Sequence, residues 1–157
     1  MTSADSATKT IRDLFPEFVD AWKVENYYGK FPTLHDCEVI SIHLARDLLE
    51  DFSGPILQID FHAFDSQAHP DSPERRVARL VMRFEQTEIE ELHGFHHQNP
   101  FSDLLVSELL CPKRQERRLR FEFGEGWRMK FTCSRVQVLS IEPYSPPDRF
   151  AQFKAEE

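Results

Sequence analysis

A strict two-residue alternation on either side of a short glycine loop constrains this chain most. Leu119, Phe121 and Phe123 alternate with Arg118, Arg120 and Glu122, and Trp127, Met129, Phe131 and Cys133 alternate with Arg128, Lys130 and Thr132. Gly124-Glu125-Gly126 joins the two runs. Successive side chains of a strand point to opposite faces, so the pattern predicts a β-hairpin with one apolar and one charged face. Such a hairpin belongs in an antiparallel sheet covered on one side only.

Other segments repeat the same period. Ile40, Ile42 and Leu44 share a face, as do Leu57, Ile59, Phe61 and Ala63. Ala78, Leu80, Met82 and Phe84 form a third set, opposite Arg79 and Arg83, and Val136 to Ile141 reads as a strand ended by Pro143. Fourteen Phe imply a core built on aromatic rings. Near the N-terminus the period changes. Ile11, Leu14, Phe15, Phe18, Val19 and Trp22 fall on one helical face, with Thr10 as a cap. Pro16 interrupts it, so the helix either starts near Phe15 or is kinked there.

Two connections stand out. Residues 65–75 read as a polar surface loop with two prolines. Residues 94–111 allow two readings. Asn99 before Pro100 is a helix-start signal, followed by a stripe of Phe101, Leu104, Leu105 and Leu109. A strand over Asp103 to Glu108 is the rival. The fold expected is α+β: a largely antiparallel sheet of about six strands with an N-terminal helix packed on one face. It occupies residues 11–144 as one domain, between a disordered tail at 1–10 and a loose tail at 145–157.

Composition excludes several roles. The net charge of −8 opposes nucleic-acid binding, which needs a basic face. The apolar runs are too short to span a bilayer, and the N-terminus lacks an apolar signal region, so the expected location is cytosolic. Cys37, Cys111 and Cys133 are odd in number and lack a CxxC spacing, which argues against a disulfide scaffold or zinc knuckle.

Several polar clusters carry residue types that could support chemistry. His35-Asp36 is similar to the metal-binding pair of HD-type phosphohydrolases, but those enzymes set further ligands on a helical bundle. The bland reading has Asp36 accepting backbone N–H groups where the chain turns into a strand, with His35 packed beside it. His93, His96 and His97, with His62 and His69, would need three or four convergent ligands to hold a metal. Cys37 lies on the side of His35 in an extended chain, yet Asp36 and Glu38 would raise its pKa, and a small buried side chain fits better. Glu85, Glu88, Glu90 and Glu91 form an acidic run that reads as a solvated strand face or as a docking patch for a basic partner. Lys113, Arg114, Arg117, Arg118 and Arg120 read as charged gatekeepers on a strand. No phosphate loop, nucleophile elbow or dinucleotide fingerprint is present.

Two stretches carry a family resemblance. FPTLHDCEVISIHLARD at 31–47 and GFHHQNPFSDL at 94–104 resemble the immunity protein 50 family of bacterial polymorphic-toxin systems. The motif residues are His35, Asp36, Glu38, Gly94, Phe95, Gln98 and Asn99. The resemblance implies a cytosolic, non-enzymatic antidote that blocks a toxin surface, with no cofactor and no catalytic residue. The negative charge suits a basic toxin. The docking residues expected are Glu85, Glu88, Glu90 and Glu91 together with Tyr27 and Tyr28, since Tyr is enriched at interfaces. The rival readings are a metal-dependent hydrolase using His35, Asp36 and some of His62, His93, His96 and His97, or a housekeeping domain.

Overall fold

A computed structural model describes residues 8–46, 54–65, 76–96, 98–101, 104–111 and 116–145. Pro16 decides the N-terminal region. Its nitrogen carries no hydrogen to donate, and its ring crowds the preceding turn, so one continuous helix is not tolerated. The apolar stripe divides into α1 (Ile11–Leu14), a 3-10 turn (Phe15–Glu17) and α2 (Trp22–Tyr28). Between them Phe18 is extended and Asp20 is left-handed at φ 60°. Ile11, Leu14, Phe15 and Phe18 stay buried, but the break resets the helical phase and leaves Trp22 57% exposed. Gly29 ends α2 at φ 77°, and its N–H returns to the Glu25 carbonyl at 2.7 Å.

The described residues hold nine strands, the first ahead of α1 and the rest after α2. They are β1 (Lys9–Thr10), β2 (Glu38–Ala45), β3 (Ile56–Ala63), β4 (Ala78–Glu85), β5 (Glu88–His93), β6 (Leu105–Cys111), β7 (Glu116–Phe123), β8 (Arg128–Cys133) and β9 (Arg135–Pro143). The predicted hairpin forms as β7 and β8, with Leu119 opposite Cys133, Phe121 opposite Phe131 and Phe123 opposite Met129. The fold is α+β and largely antiparallel, as the patterns imply, but the strands divide between two sheets. One has the order β1-β6-β7-β8-β5 and the other β2-β3-β4-β9. Within the ambiguous segment Leu105–Cys111 form strand β6, while Asp103, where the rival strand was to begin, lies outside the described residues; the helix-start signal is overridden because Pro100 instead bridges Glu38 of β2. β1 pairs with β6, so sheet structure begins within the stretch expected to be a tail.

The two apolar faces cover each other. Phe84 of β4 meets Phe121 of β7 at 5.1 Å and Phe131 of β8 at 4.9 Å, both edge to face. Phe61 of β3 reaches Phe123 at 6.4 Å. The core alternation predicted for β3 and β4 holds, with Leu57, Ile59, Phe61, Ala63, Ala78, Leu80, Met82 and Phe84 all buried. β2 departs from its predicted face. A bulge at Ile40 shifts the register, so Val39 lies opposite Phe61 and Ile42 opposite Ile59 on the inner side. Instead of covering a whole face, the helical segments close one margin. Phe18 touches Phe121 at 6.3 Å, and Val19 exchanges hydrogen bonds with Val136 and Val138 along β9, ahead of α2. Among the described residues no helix is long and apolar enough to cross a membrane.

Candidate functional site

The two motif stretches, about sixty positions apart, fold against each other. The first is a reversal into β2. Leu34 and Asp36 are both left-handed, at φ 58° and 63°. Asp tolerates that region, whereas Leu pays about 1–2 kcal/mol there; Leu34 is fully buried, which offsets the strain. The His35 amide donates to Thr33 Oγ1 at 3.3 Å, and the Cys37 amide to the Leu34 carbonyl at 3.2 Å. Asp36 was expected to receive backbone amides. Its exposed carboxylate meets His35 Nδ1 at 2.9 Å, because the positive φ turns it outward from the reversal.

The second stretch docks on the first. The Val39 amide donates to the Asn99 carbonyl at 2.9 Å, and the Phe101 amide to the Cys37 carbonyl at 3.0 Å. Glu38 Oε1 accepts the Asn99 amide at 3.2 Å. The buried Asn99 carboxamide donates to the carbonyls of Val39 at 3.3 Å and His96 at 2.5 Å, and accepts the His96 amide at 2.8 Å. Trp127 Nε1 donates to the Pro100 carbonyl at 2.6 Å. Gly94, at φ 73°, lies where a Cβ would come within 3.1 Å of Trp127 Cα, and Phe95 packs edge-on against the Trp127 ring at 5.9 Å. Gln98 uses its amide, which donates to His96 Nδ1 at 3.2 Å. The segment leaves β5 and enters β6, both in the five-stranded sheet, while hydrogen bonding to β2 of the other sheet. The motif is therefore an inter-sheet clasp.

Little in this clasp is arranged for chemistry. Cys37 is fully buried, Sγ lies 3.5 Å from the Phe64 carbonyl, and burial pushes the thiol up to about 12. A thiol so placed is not a nucleophile near neutral pH. The histidines are dispersed. His93 meets Glu91 at 3.0 Å, His96 belongs to the clasp, and His62 lies between Phe64 and Tyr144 on β3. His69 and His97 fall outside the described residues. Among the described residues, no three His, Cys, Asp or Glu side chains converge as a metal site would require.

The acidic run does not form one surface. The turn at Gln86 (φ 52°) separates Glu85 from the others. Glu85 is buried between Arg83 at 3.1 Å and Arg135 at 3.4 Å, so it is not part of an exposed patch. Glu90 holds Arg120 Nε at 2.8 Å, and Glu91 faces His93 and Arg128. Arg120 of β7 reaches Glu90 of β5 across the intervening β8. Glu88 is exposed. The basic concentration is consumed likewise: Arg117 binds Glu17 and Glu108, while buried Arg118 donates to the Gln86 carbonyl at 2.6 Å and to Thr132. Lys113 and Arg114 lie outside the described residues.

The two tyrosines also part. Tyr28 is buried, and burial pushes its phenol up, so it cannot serve as a surface contact. Tyr27 is half-buried, with Oη donating to the Val77 carbonyl at 3.1 Å. Asp65, the first residue of the expected polar loop, is fully buried and paired with Lys30 at 3.0 Å. Sequence pattern alone does not reveal the roles of Trp22, which an unbroken helical phase assigns to the core, and of Trp127, which alternation assigns only to the inner face of the hairpin. Pro16 was the available signal for the first.

A family model described as Immunity protein 50 matches residues 20–144, a span that holds both halves of the clasp. No curated protein and no solved structure matches the chain. With most of its length matched by that model, and with its two motif stretches joined into one clasp, the chain belongs to the Immunity protein 50 family.

Proposed function

We propose that this protein is a non-enzymatic antidote that acts in the bacterial cytosol, where it neutralises a cognate protein toxin by covering a surface of it. The family match over residues 20–144 carries the reading. The net charge of −8 supports a basic toxin, because long-range attraction raises the rate of encounter. Of the residues expected at the interface, Glu88, Glu90, Glu91 and Tyr27 remain as contacts. They fall on two separate margins: β5 edges one sheet, and α2 lies along β9, the edge of the other.

The test is binding and protection. Purified protein is titrated calorimetrically against the toxin encoded beside its gene, and cells producing that toxin are scored for growth with and without this chain. Nanomolar-range binding with restored growth is the expected result. Growth restored by catalytic destruction of the toxin's product, without a stable complex, would overturn the proposal.

A further inference from the structure

An open groove of about 590 Å³ lies between α2 and β9. Its walls are Trp22, Lys23, Tyr27 and Arg76, and its floor includes Leu139 and Ile141. Trp22 is the most exposed large apolar side chain among the described residues. An exposed Trp beside a concave surface is the side chain most enriched at the energetic centres of interfaces.

The walls are already held in place. Tyr27 Oη is fixed on the Val77 carbonyl, its ring stands edge-on to Tyr28 at 4.8 Å, and Arg76 Nη1 donates to the Tyr27 carbonyl at 3.2 Å. Lys23 Nζ donates to the Leu139 carbonyl at 3.1 Å and lies 5.8 Å from the Trp22 ring centroid. A partner thus meets surfaces whose ordering cost is small.

Charge selects the occupant. Among the described residues the lining holds two cations and no carboxylate, in a chain of net charge −8. Asp20, Glu25 and Glu142 lie close in the chain but do not line the groove. Arg76 and Lys23 are hydrogen bonded to neutral carbonyls, unlike Arg120 and Arg117, which are neutralised by glutamates. Resting on the toxin-binding reading, we infer that this groove is the docking site for a segment of the toxin that presents an apolar side chain to Trp22 and Tyr27 and a carboxylate to Arg76 and Lys23. A basic toxin drawn in by net charge would then be locked by a locally acidic segment.

The experiment titrates the full chain and its Trp22→Ala, Arg76→Glu and Glu125→Lys variants against the adjacent toxin, with thermal melts confirming that each variant is folded. Trp22→Ala is expected to weaken binding about 30-fold or more and Arg76→Glu about 5-fold or more. Glu125→Lys, at the exposed hairpin tip, is expected to stay within about 2-fold, as surface changes away from an interface do. Folded Trp22→Ala and Arg76→Glu proteins that bind as wild type would overturn the groove and leave toxin neutralisation standing. Tighter binding by Arg76→Glu would overturn the acidic occupant, and a wild-type dimer dissociated by Trp22→Ala would assign the groove to a second copy instead. A wild-type chain that fails to bind the toxin would overturn the antidote reading and this inference with it.

Discussion

Asn99→Ala tests whether the family motif is a clasp. The Asn99 side chain makes three hydrogen bonds in a buried setting: two as donor, to Val39 and His96, and one as acceptor from the His96 amide. At about 1 kcal/mol net for each, alanine should cost roughly 3 kcal/mol. For a chain of this size, 1 kcal/mol moves the melting midpoint by about 2–4 °C, so a fall of about 6–12 °C is expected. Urea unfolding should show a lower midpoint with an unchanged slope. Asn99→Asp is the sharper variant. It keeps the acceptor for the His96 amide but sets a carboxylate oxygen against the carbonyls of Val39 and His96, so it should destabilise at least as much as alanine. Both variants, assayed well below their midpoints, should bind the toxin as the wild type does. A loss below about 1 kcal/mol, or full stability with lost binding, would refute the structural reading and make Asn99 a contact residue.

Four further outcomes are expected. Asp36→Ala should cost about 1 kcal/mol, because Asp36 sits at φ 63° where alanine is strained, and Asp36→Gly should cost less; equal losses in denaturant melts would place the effect in the His35 contact instead. Phe121→Ala should cost about 3–5 kcal/mol, since the ring is fully buried, stacked on Phe131 at 5.2 Å and edge-on to Phe84; a smaller loss in urea titration would mean that the aromatic layer repacks. Cys37 and Cys133 have thiols pushed up by burial to about 12, so in native protein at pH 8 these two positions, read by peptide mapping, should resist thiol reagents until the chain is unfolded. Because the unfolded thiol loses its proton first, stability should fall as pH rises from about 9 towards 12, on the order of 1 kcal/mol per pH unit for each thiol; flat stability across that range in urea melts would contradict the shift.

Local patterning was legible wherever the sheet environment agreed with it. The alternations in Leu57–Ala63, Ala78–Phe84 and Leu119–Cys133 each specified a strand and its inner face, and all of them face the core. Legibility failed where a distant segment competed. The cap signal of Asn99-Pro100 is locally sound, yet Asn99 is worth more bonded to Val39 and His96 than at a helix start. Ile40 slips out of phase through a bulge, which no period-2 pattern contains. For the site, the motif residues were identified as a set, but their role needed the sixty-residue contact between Glu38 and Asn99. The acidic run looked continuous because sequence adjacency does not reveal that Glu85 turns inward between two arginines.

By itself, then, the sequence determined the class of fold, the aromatic interior, the family pattern and the net charge that favours a basic partner, because these depend on residue type and local period. Tertiary structure decided which strands share a sheet, which acids are neutralised and which aromatic side chains reach solvent. Those outcomes depend on pairing between segments far apart in the chain. Trp22 shows the difference: the apolar stripe that assigns it to the core is real, but the break at Phe18–Asp20 and the docking of α2 along β9 turn it outward onto a cationic groove.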